Sequence, residues 1–203
     1  MNTTTDNTLP QQWVWQNQTC DSILKHVEWL QEPRKLGSGC DYHFLTTGKL
    51  LHFTLQDYML IVPTLQQAIL GLERAIRVHY KPVDECYGSL CNGCTTVSFR
   101  DLLQKAVDNQ IINDEIFSKT PPHPDGLKEQ IQNGTLFSSQ NKDEKSRHDL
   151  SYSQQLATLI PILRNYYFHG NPTFLCPGFL DVIIDLRLIA DALKTRGVRS
   201  LLF

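Results

Sequence analysis

Three residues near the C-terminal third of this chain carry groups that together could break a phosphodiester. Arg164 is a permanent cation, Asn165 an amide and His169 an imidazole, within Leu163-Arg164-Asn165-Tyr166-Tyr167-Phe168-His169-Gly170. An α-helix turns by about 100° per residue. On a helix Arg164, Asn165 and His169 therefore fall within an arc of roughly 140° and can point into one space. An arginine binds phosphate in a fixed fork, and an imidazole, which titrates near neutrality, can take or give a proton. That pairing is the minimum equipment for cleaving RNA without a metal, because the 2′-hydroxyl supplies its own nucleophile beside the phosphate.

Spacing alone is a weak signal. A second Arg-x4-His stands at Arg74 to His79, with Ala75 where the first has Asn165 and Tyr80 where the first has Gly170. It lies inside a long helical pattern rather than at a helix end, so the first copy is the better candidate.

The elements around the first copy read as helices. From 151 to 168, Leu156, Leu159, Ile160 and Leu163 recur at helical spacing, and Gly170-Asn171-Pro172 is a stop. Pro161 predicts a bend one turn before Arg164. The strongest stripe is Ile61, Leu65, Ala68, Ile69, Leu72, Ile76 and Tyr80. It predicts a helix over 54–80 capped by Thr54 and kinked or broken at Pro63. Ser98 caps a further helix over 98–112, and 178–195 forms another, through Leu180, Ile183, Ile184, Leu186, Ile189 and Leu193. Residues 13–31 form a short helix with Asp21-Ser22 as its cap, and 33–41 a loop. No strand pair and no internal repeat stands out. The expectation is an all-α domain of four to five core helices over 46–203, with a mobile connection at 118–150. An N-terminal arm and short helix form an appendage over 1–45.

The region resembles the HEPN superfamily of small all-α domains. The likeness is carried by Arg164-Asn165-Tyr166-Tyr167-Phe168-His169 with the following Gly170. It is extended by Leu65-Gln66-Gln67-Ala68-Ile69-Leu70-Gly71-Leu72-Glu73-Arg74-Ala75, similar to that family's early helix, and by Phe99 to Ala106, similar to its middle helix. The resemblance covers roughly 55–195 and implies a HEPN-like bundle. It implies a homodimer through the motif helix, with one composite site, and metal-independent endoribonuclease activity of the toxin or phage-defence kind. In that reading Arg164 stabilises charge on the phosphate oxygens and His169 serves as general acid or base. Asn165 orients one or the other, and Tyr166 and Tyr167 stack on a base or pack against the partner. RNA is the substrate, catalysis needs no cofactor, and a regulatory protein would restrain the toxin. The alternative is a non-catalytic helical module that binds a nucleotide, nucleic acid or protein, or a subunit of a larger complex, with Trp13, Trp15 and Trp29 as contacts.

Composition sets outer bounds. Hydrophobic residues make up 41% of 203 and charged ones 20%, enough for a packed core. The net charge of -2 argues against an extended nucleic-acid-coating surface. From Ser151 onward, five cations against three anions leave a local balance of +2. The polar start, Met1 to Asn7, lacks the order of a signal peptide, and no apolar run reaches the roughly 20 residues of a membrane span. A cytoplasmic protein is expected. Six cysteines then read as thiols or a metal site. Cys86, Cys91 and Cys94 lie in a glycine-rich stretch, and Cys91-x2-Cys94 has the spacing of a zinc knuckle. A structural zinc with a fourth ligand from His79, Cys40 or Cys176 is one reading; a loop with incidental thiols is the other.

Overall fold

A computed structural model describes residues 20–32, 39–80, 97–118, 150–169 and 178–197. Every regular element among them is a helix. In chain order these are α1 (Cys20–Gln31), α2 (Cys40–Thr54), a 3₁₀ turn (Tyr58–Leu60), α3 (Ile61–Tyr80), α4 (Phe99–Asp108), α5 (Asp114–Ser118), α6 (Tyr152–Phe168) and α7 (Phe179–Gly197). Among the described residues no helix is long and apolar enough to cross a membrane.

Two helices organise the bundle. The expected stripe of α3 is buried from Ile61 through Ile76, and this helix packs against α2, α4, α6 and α7. Its neighbour α7 is buried on almost every side, as a helix at the centre of a core must be. Its expected residues Leu180, Ile183, Ile184, Leu186, Ile189 and Leu193 all lie in that core.

Local signals set the helix starts. The Ser98 side chain accepts the Asp101 amide at 3.1 Å. At α6 the Ser151 hydroxyl accepts the Gln154 amide at 3.3 Å, and the Gln154 side chain accepts the Ser151 amide at 2.9 Å. Together they close a reciprocal capping box. From α5, Asp114 adds its carboxylate to the same helix end, accepting the amides of Tyr152 and Ser153 at 3.3 and 2.9 Å. A negative group is favourable there because the first-turn amides have no helical partners.

The structure departs from the expected plan between residues 40 and 63. A full helix, α2, begins at Cys40, inside the stretch expected to be loop. Thr54 ends α2 rather than capping α3, and its hydroxyl donates to the Leu51 carbonyl at 2.6 Å. The 54–80 pattern is broken rather than continuous: α3 starts only at Ile61, which puts Pro63 in its first turn, where a proline gives up no helical hydrogen bond. Asp21 lies within the first turn of α1 instead of capping it. Pro161 lies inside α6, which runs unbroken past it to Phe168.

Nor is α1 an appendage: Ile23, Val27 and Leu30 join the same core cluster as α3 and α7. A boundary at residue 45 would cut α2. Trp29 is partly buried against that core, whereas Trp13 and Trp15 lie outside the described residues, as do most of the 118–150 connection and Leu127 to Ile131.

Candidate functional site

The C-terminal end of α6 is fixed from α3 at two places. Gln66 donates its side-chain amide to the Tyr167 carbonyl at 3.0 Å, satisfying one of the last carbonyls of α6, which have no helical donor. Two turns further along α3, Glu73 accepts from Arg164 Nε at 3.4 Å. Packing of α3 on α6 thus determines where the first residue of the motif sits.

Arg164 lies along the surface with 37% of its side chain exposed. Its Nη1 donates to Asn165 Oδ1 at 3.4 Å, and its guanidinium lies 5.6 Å from the centre of the Phe168 ring, within cation–π range. Asn165 is exposed. His169 caps the helix: its backbone amide donates to the Asn165 carbonyl at 3.1 Å, and the residue is exposed beyond the last turn. All three motif residues therefore stand on one helix end, with Arg164 and Asn165 in contact. The imidazole is presented to solvent.

The two tyrosines differ. Tyr167 is 4% exposed and belongs to the core, so its ring is not offered to a base as the sequence suggested. Tyr166 is partly buried and meets Tyr167 edge-to-face, with centroids 5.6 Å apart. The exposed ring beside Arg164 is Phe168, which sequence reasoning passed over.

Glu73 was also missed. Its other oxygen accepts from Arg77 Nη2 and Nε at 2.8 and 3.2 Å, an i,i+4 pair within α3 that was visible in the sequence. Its contact with Arg164 spans 91 positions and could be found only from the helix pairing. One carboxylate is thus shared by two arginines on neighbouring helices.

The second Arg-x4-His copy is built into the fold. The Nδ1 of His79 lies 2.9 Å from the Leu193 carbonyl, tying α3 to α7. Burial lowers the pKa of His79 below 6.5, and the bond to Leu193 opposes that shift. A ring occupied in this way is poorly placed to exchange protons with a substrate.

Of the cysteines considered for zinc, Cys86, Cys91, Cys94 and Cys176 lie outside the described residues. Cys40 is fully buried, and burial pushes its thiol up from 9.0 to about 11. A metal would have to draw on a thiol strongly held as its protonated form. Among the described residues no group of three or more His, Cys, Asp or Glu side chains is placed to hold a metal ion.

Compared with family models, with curated proteins and with solved structures, the chain matches none of them.

Proposed function

We propose that this chain is a metal-independent endoribonuclease of the HEPN type, with Arg164, Asn165 and His169 as its site residues. The observation that carries this reading is the exposed end of α6. There a guanidinium, an amide and a solvent-facing imidazole share one helix terminus fixed from a neighbouring helix. In the proposed reaction the 2′-oxygen attacks the adjacent phosphorus as an imidazole takes its proton. The 5′-oxygen leaves with a proton, giving a 2′,3′-cyclic phosphate and a 5′-hydroxyl. Arg164 stabilises the charge growing on the non-bridging oxygens. The acid and the base are two copies of His169, from two chains paired through α6. Toxin or defence activity under a restraining partner belongs to the same reading.

The test is cleavage of end-labelled RNA by the purified protein in excess EDTA, beside Arg164→Ala and His169→Ala. Both changes lie outside the core, so matched thermal unfolding is expected. The expected outcome is cleavage by the parent with cyclic-phosphate ends, and a loss of about 100-fold or more in each variant. Cleavage that persists in both variants, or that stops in EDTA, would overturn it.

One observation favours a second reading, a helical binding module without catalysis. Arg164 is engaged with Glu73, as an arginine that merely ties two helices together would be. No cleavage by the parent, with an unchanged oligomeric state in the variants, would favour that reading.

A further inference from the structure

The carboxylate of Glu73 sits between two guanidinium groups that are far more exposed than it is. Its side chain is 13% exposed, against 45% for Arg77 and 37% for Arg164. One oxygen takes two donors from Arg77 at 2.8 and 3.2 Å. The other takes a single donor from Arg164 at 3.4 Å. The cluster therefore carries two positive charges and one negative, and its two arms differ. The Arg77 arm is short and doubly bonded; the Arg164 arm is long and single. A guanidinium has five N–H donors, so Arg164 keeps donors to spare beyond those used on Glu73 and Asn165.

An incoming phosphodiester offers Arg164 what Glu73 offers, an anionic oxygen pair matched to the guanidinium fork. The two compete for the same donor. Because the Arg164 contact is the weaker arm, it is the one released, while Arg77 keeps Glu73 occupied on α3. We infer that Glu73 is an internal competitor for the oxyanion at Arg164, and that Arg77 tunes this competition by holding the carboxylate on α3. The device leaves Arg164 positioned when the site is empty and lowers its affinity for any oxyanion. Identifying that oxyanion as an RNA phosphodiester rests on the ribonuclease reading above; the competition itself does not.

Binding of a short, fluorescently labelled deoxyribonucleotide, which has no 2′-hydroxyl and cannot be cleaved by that route, tests the inference. The measurement is anisotropy at low salt on the full chain, with thermal unfolding of each variant alongside. Glu73→Gln keeps the shape and removes the competing charge, and binding should tighten roughly fivefold or more. Arg77→Ala frees Glu73 for Arg164, so binding should weaken in the parent background. In the Glu73→Gln background the same change should have a smaller effect, a coupling that a purely structural tie would not produce. Glu73→Asp, which shortens the reach of the carboxylate, should also tighten binding and serves if the amide variant fails to fold. Unchanged or weaker binding in the folded Glu73 variants, or additive effects of Glu73 and Arg77, would overturn the inference. Tighter binding without RNA cleavage by the parent would leave the competition standing and remove the ribonuclease reading.

Discussion

Tyr152 shows how far a single polar contact can matter in this core. Its ring is buried, and its hydroxyl donates to Asp185 Oδ2 at 2.6 Å. Burial, with the nearby charge of Asp185, drives the phenol far above its ordinary 10.0, so the hydroxyl keeps its proton well above neutrality. Asp185 is itself completely buried, and a buried carboxylate that loses a donor bears a desolvation cost. Tyr152→Phe is expected to lower stability by about 1–3 kcal/mol, read as a drop in urea midpoint with little change in slope. A loss below about 0.5 kcal/mol would mean that the hydroxyl is dispensable to Asp185. By contrast, His169→Ala should leave stability nearly unchanged, because the imidazole stands outside the core.

Helices α2 and α3 approach through a glycine. A Cβ placed on Gly71 would lie 2.9 Å from Phe44 Cε2 and 3.2 Å from both Phe44 Cδ2 and His43 Cβ. Phe44 is completely buried and has little room to turn aside. In a solvent-facing helix Gly→Ala is stabilising by up to about 1 kcal/mol. Here the sign should reverse, with Gly71→Ala costing roughly 1–3 kcal/mol as the helices are forced apart; an unchanged or raised melting temperature would refute the close packing. The same interface explains what the sequence concealed. The buried side of α2 is Cys40, Phe44, Thr47, Gly48, Leu51 and Thr54, in which small and hydroxyl residues interrupt any apolar stripe, while Tyr42, Leu45 and Phe53 are exposed. A helix that buries small and hydroxyl residues beside Phe44 and Leu51, while showing Tyr42, Leu45 and Phe53, gives only a weak periodic signal. The opposite holds for α6 and α7, whose apolar stripes are local and were legible. At the site, the residues on the end of α6 could be read directly, but their anchors Gln66 and Glu73 depend on which helix packs beside it. Even there, Tyr166 and Tyr167 looked equivalent until burial separated them.

For the molecule as a whole, buried titratable groups limit stability on both sides of neutrality. The thiol of Cys40 holds its proton more tightly when folded, its value rising from 9.0 to about 11, with burial as the main cause. Its contribution is complete below pH 9.0 and is lost as pH rises through about 11. His79 shifts the other way: its folded value is depressed below 6.5. Its contribution is therefore complete above pH 6.5 and is lost as pH falls through the folded value. Melting temperature against pH should thus fall on both flanks. Cys40→Ala should shrink its deficit relative to the parent steadily from pH 9.0 to 11; a deficit constant across that range would show that the thiol does not contribute. A different whole-chain property follows from Arg187. Its guanidinium is buried in the core and lies 4.9 Å from the Phe44 ring. From there it donates to the carbonyls of Leu30 and Glu32 at 3.5 and 3.4 Å, across 157 and 155 positions of chain. Those carbonyls close the end of α1, so during synthesis α1 emerges long before the group that finishes it exists. Until Arg187 arrives, Ile23, Val27 and Leu30 can pack against α2, but the end of α1 lacks these two donors. Closing that end of α1 therefore requires a contact of very long loop closure, so the last step of its assembly falls after α7 has been made and docked.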